Sequence, residues 1–208
     1  MSVRIWLLAI GFIAINWSLL PAQEPEPPKS TAQVGQMLPG PFPSYNVTGN
    51  RAKTFHCLVT DPAHELNPTV AVFCVNVDAK QPPDPLKNLL TKLEAMTDAN
   101  KGAKFGAFAI FLNLEKEFYQ DNSREGKIAD LEGLSESLKL KNVVLGLERP
   151  DCPAAAGYGI GKDDRIVVLV YYRYKVAARF TFTDKKPMAE GDVTAILDAA
   201  AKTLPEKK

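Results

Sequence analysis

Residues 68–97, PTVAVFCVNVDAKQPPDPLKNLLTKLEAMT, decide how this chain folds. Their first part, residues 70–76 (VAVFCVN), is a nearly unbroken apolar run of β-branched and aromatic side chains. That length and composition predict a strand buried on both faces. The Pro-rich stretch KQPPDP follows as a loop. Asp84-Pro85 then marks a helix start, because Asp accepts bonds from free backbone N–H groups and Pro fits the first turn. Leu86, Leu89, Leu90, Leu93 and Met96 or Thr97 recur at i, i+3, i+4 and i+7, which is one apolar stripe on a helix. Asn100-Lys101-Gly102 supplies its stop.

The same reading extends in both directions. Residues 105–112 (FGAFAIFL) predict a second buried strand. Ile128, Leu131, Leu134 and Leu138 mark the apolar side of a second helix, and residues 142–147 (NVVLGL) a third buried strand. RPDCPAAAGYGIGKDD, residues 149–164, reads as a surface loop rich in Pro and Gly. Residues 166–172 and 175–182 form a hairpin turned around Arg173-Tyr174. A final helix covers about residues 190–204, with Val193, Ile196, Leu197, Ala200 and Leu204 facing inward. Upstream, residues 53–59 (KTFHCLV) are a short strand candidate, preceded by a turn-rich entry. Alternating strands and helices imply parallel strands joined by crossover helices, and the hairpin adds antiparallel ones. The expected fold is α/β: a mixed sheet covered on both faces by helices.

The N-terminus carries a different pattern. Arg4 gives a positive start, residues 5–20 are apolar apart from residues such as Asn16 and Ser18, and Pro21-Ala22 offers a small residue for cleavage. Residues 1–22 read as a secretory signal peptide, residues 23–37 as a Pro-rich linker and residues 38–208 as the domain. An uncleaved anchor is the alternative, but the apolar run is shorter than the ~20 residues a spanning helix needs. The expected location is exported, periplasmic or secreted, with no stable membrane association after cleavage. Loss of Arg4 with the signal leaves the basic residues matched one for one to the 24 acidic ones. A neutral, mixed surface argues against nucleic acid and anionic membranes as partners. Trp6 and Trp17 both lie in the signal, and the three cysteines, Cys57, Cys74 and Cys152, all lie in the domain.

The order of elements resembles the thioredoxin-like fold in its redoxin or peroxiredoxin-type version, a three-layer fold. VGQMLPGPFPSYNVTG (34–49) looks like the redoxin opening, and PTVAVFC like the central strand leading into the redox site. KNVVLGLERPD followed by Gly157-Tyr158-Gly159-Ile160 resembles the extra strand and the YGV segment of peroxiredoxins, and IVVLVYYRYKVAARFTF the terminal hairpin. The resemblance implies a C-x-x-C pair, or a Cys after Pro and Thr, directly behind the central strand. Here that stretch is VNVDAKQPPDP, which has no cysteine. It also implies a cis-Pro just before Ile166, where this chain has Asp164-Arg165. Arg165 resembles the peroxiredoxin Arg that stabilises a peroxidatic thiolate; without that thiolate its expected role is structural.

The remaining chemistry is sparse, and no catalytic residue or cofactor is expected. Cys74, inside the apolar run, is expected to be a buried, inert thiol. Cys57 follows His56, whose side chain points to the opposite face of a strand. A Cys57–Cys74 disulfide stays open if those strands pair. Cys152, between Asp151 and Pro153, is expected to be the most exposed thiol and the best candidate for reaction or bridging, with Arg149 its only cationic neighbour. His56, Cys57, His64 and Cys74 lack the paired spacing of a zinc site. AGYGIGKDD fails as a phosphate loop, with Ala156 and Asp163 at its two ends. Asn46-Val47-Thr48 is a glycosylation sequon only in a host that glycosylates, and by default is expected to be a turn. These readings describe an exported, redox-inactive domain that binds an unknown protein or peptide partner. The alternatives are a divergent thiol oxidoreductase or peroxidase using a displaced cysteine, and a structural envelope protein.

Overall fold

The computed structural model describes residues 32–114 and 123–205. The expected signal peptide and residues 23–31 of the expected linker lie outside the described residues. The strands are β1 (Pro43–Asn46), β2 (Thr54–Cys57), β3 (Thr69–Val75), β4 (Gly106–Leu112), β5 (Val144–Glu148), β6 (Asp164–Tyr172) and β7 (Lys175–Thr183). The helices are α1 (Asp84–Ala99), α2 (Ser123–Ser137), α3 (Pro153–Gly157) and α4 (Glu190–Ala201), with a 3-10 turn at Lys101–Ala103. The strands form one sheet in the order β2-β1-β5-β4-β3-β6-β7.

β3 is central, parallel to β4 and antiparallel to β6. All of its residues are buried, as its composition requires. β4 and β5 continue the parallel part. The two crossovers, β3-α1-β4 and β4-α2-β5, step the same way across the sheet. Right-handed connections must then place both helices on one face. That face holds Val70, Val72 and Cys74 of β3 against Leu86, Leu89, Leu90 and Leu93 of α1, Leu131 and Leu134 of α2, and Val193 and Ile196 of α4. The return to β6 passes over the other face. There Ala71, Phe73 and Val75 meet Phe42, Leu58, Ala155 and Tyr158. Phe73 anchors that side, its ring 4.8 Å from Phe42 and 5.5 Å from Tyr158.

The second face corrects several expectations. It is covered by the short helix α3 together with the N-terminal segment and the β2–β3 loop. The segment 149–164 is no surface loop: it contains α3, and Cys152, Ala155 and Tyr158 are buried. The entry is not only turns, because Pro43–Asn46 forms β1 between β2 and β5. Four residues flanked by Pro and Gly carry too little alternation to announce a strand. Residues 32–37, expected as linker, belong to the fold: Gly35 N–H donates to the Val176 carbonyl at 2.8 Å, and Val176 N–H returns to Gln36 at 2.9 Å. The hairpin turn holds both Arg173 and Tyr174 at positive φ, 50° and 61°. Such a turn matches the twist of the flanking strands. No helix among the described residues is long and apolar enough to cross a membrane.

Phe73 touches both neighbours that close the second face. Phe73→Ala should lower stability by about 3–5 kcal/mol, read from the urea unfolding midpoint; a loss under about 1 kcal/mol would show that this face is not a packed core.

Candidate functional site

The resemblance implies a redox site where the central strand ends and the following helix begins. Here β3 runs into residues 76–83. Asn76 takes a positive φ of 50° and its N–H donates to the Leu112 carbonyl at 3.1 Å, which turns the chain away from the sheet. Val77, Ala79 and Pro82 tuck inward, while Asn76, Asp78, Lys80 and Gln81 are exposed. Pro83 occupies the N-cap of α1, with no side-chain cap, and Asp84 in the first turn pairs with Lys87 at 2.5 Å. A helix start with open N–H groups is where a cysteine thiolate would be stabilised. No residue from 76 to 84 is a cysteine.

The three thiols lie elsewhere, and all are free. Cys74 points into the core beneath the helices, and burial raises its thiol pKa far above the ordinary range. Cys57 lies on the opposite face. β1, β5 and β4 separate its strand from β3, so the open possibility of a Cys57–Cys74 bridge does not hold. The expectation that Cys152 is the most exposed thiol is also corrected. It is 8% exposed at the N-cap of α3, whereas Cys57 is half-buried. Burial pushes the Cys152 thiol up to about 11, with the Glu148 and Asp151 carboxylates adding to the rise against Arg149. The sulfur of Cys57 accepts the Phe42 N–H at 3.1 Å and the Thr60 N–H at 3.4 Å.

Arg165, at the start of β6, makes a two-pronged ion pair with Asp184, Nε–Oδ1 2.7 Å and a second bond of 2.8 Å. Its guanidinium is held by Asp184 at the end of the hairpin. At the same end of the sheet, Glu148 is half-buried and accepts the N–H of Arg149 at 2.8 Å. Burial raises its carboxyl pKa. Asn113 beside it donates to the Val77 carbonyl at 3.3 Å, and its own Oδ1 has no partner among the described residues. The described peptide bonds are all trans, including those at Asp164-Arg165.

His56, Cys57, His64 and Cys74 do not converge. His56 pairs with Asp61 at 2.9 Å, His64 donates from Nδ1 to the Leu58 carbonyl at 2.8 Å, and Cys74 lies on the other face. Among the described residues no three His, Cys, Asp or Glu side chains cluster to hold a metal. Asn113 and Glu148 were not singled out in the sequence. They lie in different segments, and only the β4–β5 pairing brings them side by side.

Two measurements follow from these environments. Iodoacetamide should label Cys57 first, Cys152 with a midpoint near pH 11, and Cys74 only after unfolding; mass spectrometry of the labelled peptides gives the order. The raised Glu148 pKa favours the folded state while the group is protonated. That contribution is complete below the ordinary Glu range and is lost as pH rises through the raised value. Glu148→Gln should therefore gain stability over the native chain between acid and neutral pH, by under about 1 kcal/mol because the site is partly solvated. Urea midpoints at several pH values check the sign.

No protein-family model and no curated protein matches the sequence. Among solved structures, the chain is similar to a protein assigned as a thiol:disulfide interchange protein DsbE from Chlorobium tepidum, with TM-score 0.53 and 13% identity over 83% of this chain and 99% of that one. It is similar to the C-terminal domain of a protein assigned as a thiol-disulfide oxidoreductase from Bacteroides thetaiotaomicron, with TM-score 0.52 and 12% identity over 83% and 99% of the two chains. A secreted thiol-disulfide isomerase from Corynebacterium glutamicum matches with TM-score 0.50 and 13% identity over 80% and 86%. The chain therefore has the thioredoxin-like fold, and it lacks the cysteine pair that the fold usually carries behind its central strand.

Proposed function

We propose that this protein is an exported thioredoxin-like domain that works by binding a protein or peptide partner and not by thiol–disulfide exchange. The observation that carries the reading is the junction of β3 and α1. The fold supplies the strand end and the helix start, and residues 76–83 supply no thiol to them. The nearest sulfur in sequence, Cys74, is sealed in the core, and Cys152 is held largely as the neutral thiol. A thiol, unlike a thiolate, is a poor nucleophile. The apolar N-terminal segment with its small residue at Ala22 supports export, as does the likeness to a secreted isomerase.

A second reading, a divergent thiol oxidoreductase, is favoured by Cys57 alone. Its half-buried sulfur receives two backbone N–H groups, an arrangement that suits negative charge.

Insulin-disulfide reduction and peroxide consumption separate the two. The binding reading expects no turnover above the uncatalysed rate, and the same result after Cys57→Ser. Turnover that disappears in Cys57→Ser would establish the second reading. Export is read from the N-terminal sequence of the mature protein, expected to begin near Gln23.

A further inference from the structure

The opposite end of the sheet, where the parallel strands begin, holds a cavity of about 690 Å³. It lies between the β1–β2 turn, the β2–β3 loop, the 3-10 turn and the entry to β5. That volume is in the range of sites for small organic molecules. Its lining is strongly cationic: Arg51, Lys101, Lys104 and Lys141 stand against a single acid, Asp61.

Asp61 is already committed. Its Oδ2 holds Arg51 Nε at 3.2 Å and His56 Nε2 at 2.9 Å, and its Oδ1 accepts the Ala63 N–H at 2.9 Å. Lys101 pairs with Asp98 outside the lining. Lys104 and Lys141 form no ion pair among the described residues, and both side the cavity. Asp98 also acts on Lys141, and the Glu94 carboxylate accepts from the lining residue Asn142, so the cavity keeps a small positive excess carried by Lys104 and Lys141.

Two buried polar side chains in the lining add direction to that charge. Asn46 is fully buried; its Oδ1 accepts the Ser44 hydroxyl at 3.1 Å, and its Nδ2 has no acceptor among the described residues. His64 is 5% exposed. It packs 5.1 Å from the Phe108 ring and over Gly106, where a Cβ would stand only 2.4 Å from its Cδ2. A glycine at that strand start is what admits the imidazole. Nδ1 carries the proton, because it faces the Leu58 carbonyl at 2.8 Å. The Nε2 lone pair is then an acceptor. Burial, which lowers the His64 pKa, keeps the ring neutral.

Buried polar atoms are normally paired. Here, among the described residues, a buried amide donor and a ring acceptor without partners and two exposed ammonium groups without an ion pair line one cavity. We propose that this cavity is a binding site for a small phosphate-bearing molecule: Lys104 and Lys141 offset the phosphate charge, Asn46 Nδ2 donates to a ligand oxygen, and His64 Nε2 accepts from a ligand hydroxyl or from the proton of a hydrogen phosphate. The position is separate from the β3–α1 junction, which sits at the other end of the same strands.

The test uses the purified protein with inorganic phosphate and glycerol 3-phosphate as probes and sulfate at matched ionic strength as comparator. Readouts are the ¹⁵N and ¹H resonances of the His64 imidazole and the melting temperature. Either phosphate probe should move the His64 signals saturably and raise the melting temperature. Sulfate, with no proton to offer Nε2, should bind more weakly. The surface double substitution Lys104→Gln with Lys141→Gln should leave the melting temperature without phosphate unchanged and weaken phosphate binding by about tenfold or more. Shifts that do not saturate with either probe, that follow ionic strength alike for phosphate, sulfate and chloride, or that keep their affinity in the double variant overturn the proposal.

Discussion

The rest of the structure depends on β3 being buried on both faces. Its seven residues pair with β4 on one side, six of them also pair with β6 on the other, and none is exposed. Each large apolar side chain so buried contributes about 1.5–3 kcal/mol, so no alternative placement of this segment competes. Alternation then sorts the strand into two cores, Val70, Val72 and Cys74 under the long helices and Ala71, Phe73 and Val75 under the N-terminal segment and α3. The same burial that makes the strand central makes Cys74 chemically quiet. A thiol surrounded by Leu and Val side chains cannot ionise at ordinary pH.

A sheet with a parallel centre has two unlike ends. At the end where β3 finishes, the chain turns through Asn76 into a Pro-rich loop and an uncapped helix start. Solved structures of similar architecture include thiol-disulfide enzymes, yet this chain brings carboxylates and amides there: Glu148, Asn113, Asp78 and Asp84. At the end where the strands begin, basic residues from three segments line the cavity that His64 also lines. The two ends are separated by the length of the strands.

Much of the fold was legible because its elements are long and periodic. The stripe of Leu86, Leu89, Leu90 and Leu93 predicts α1, and it is the face that packs on β3. The uniform apolar runs predict β3, β4 and the first strand of the hairpin. β1 was not legible, since four residues beginning with Pro43 show no alternation of their own. Its strand character comes from pairing with β2 and β5. α3 was hidden in the same way. Pro153 and the following alanines are compatible with a loop, and only Tyr158 wedged against Phe42, with its hydroxyl on the Gly40 carbonyl at 2.5 Å, makes the segment a covering layer.

The sequence alone determined what each segment must bury and what chemistry residues 76–83 cannot perform, because side-chain periodicity and residue identity are local properties. The tertiary structure decided which segments meet. It buried Cys152 by laying α3 on the sheet, paired Arg165 with Asp184 across the hairpin, and brought Arg51, Lys104 and Lys141 to the cavity that His64 lines. Those neighbours lie far apart along the chain, and their proximity follows from strand order and from the glycine at 106 that admits an imidazole. No local pattern encodes such a meeting, since it exists only once the strands are side by side.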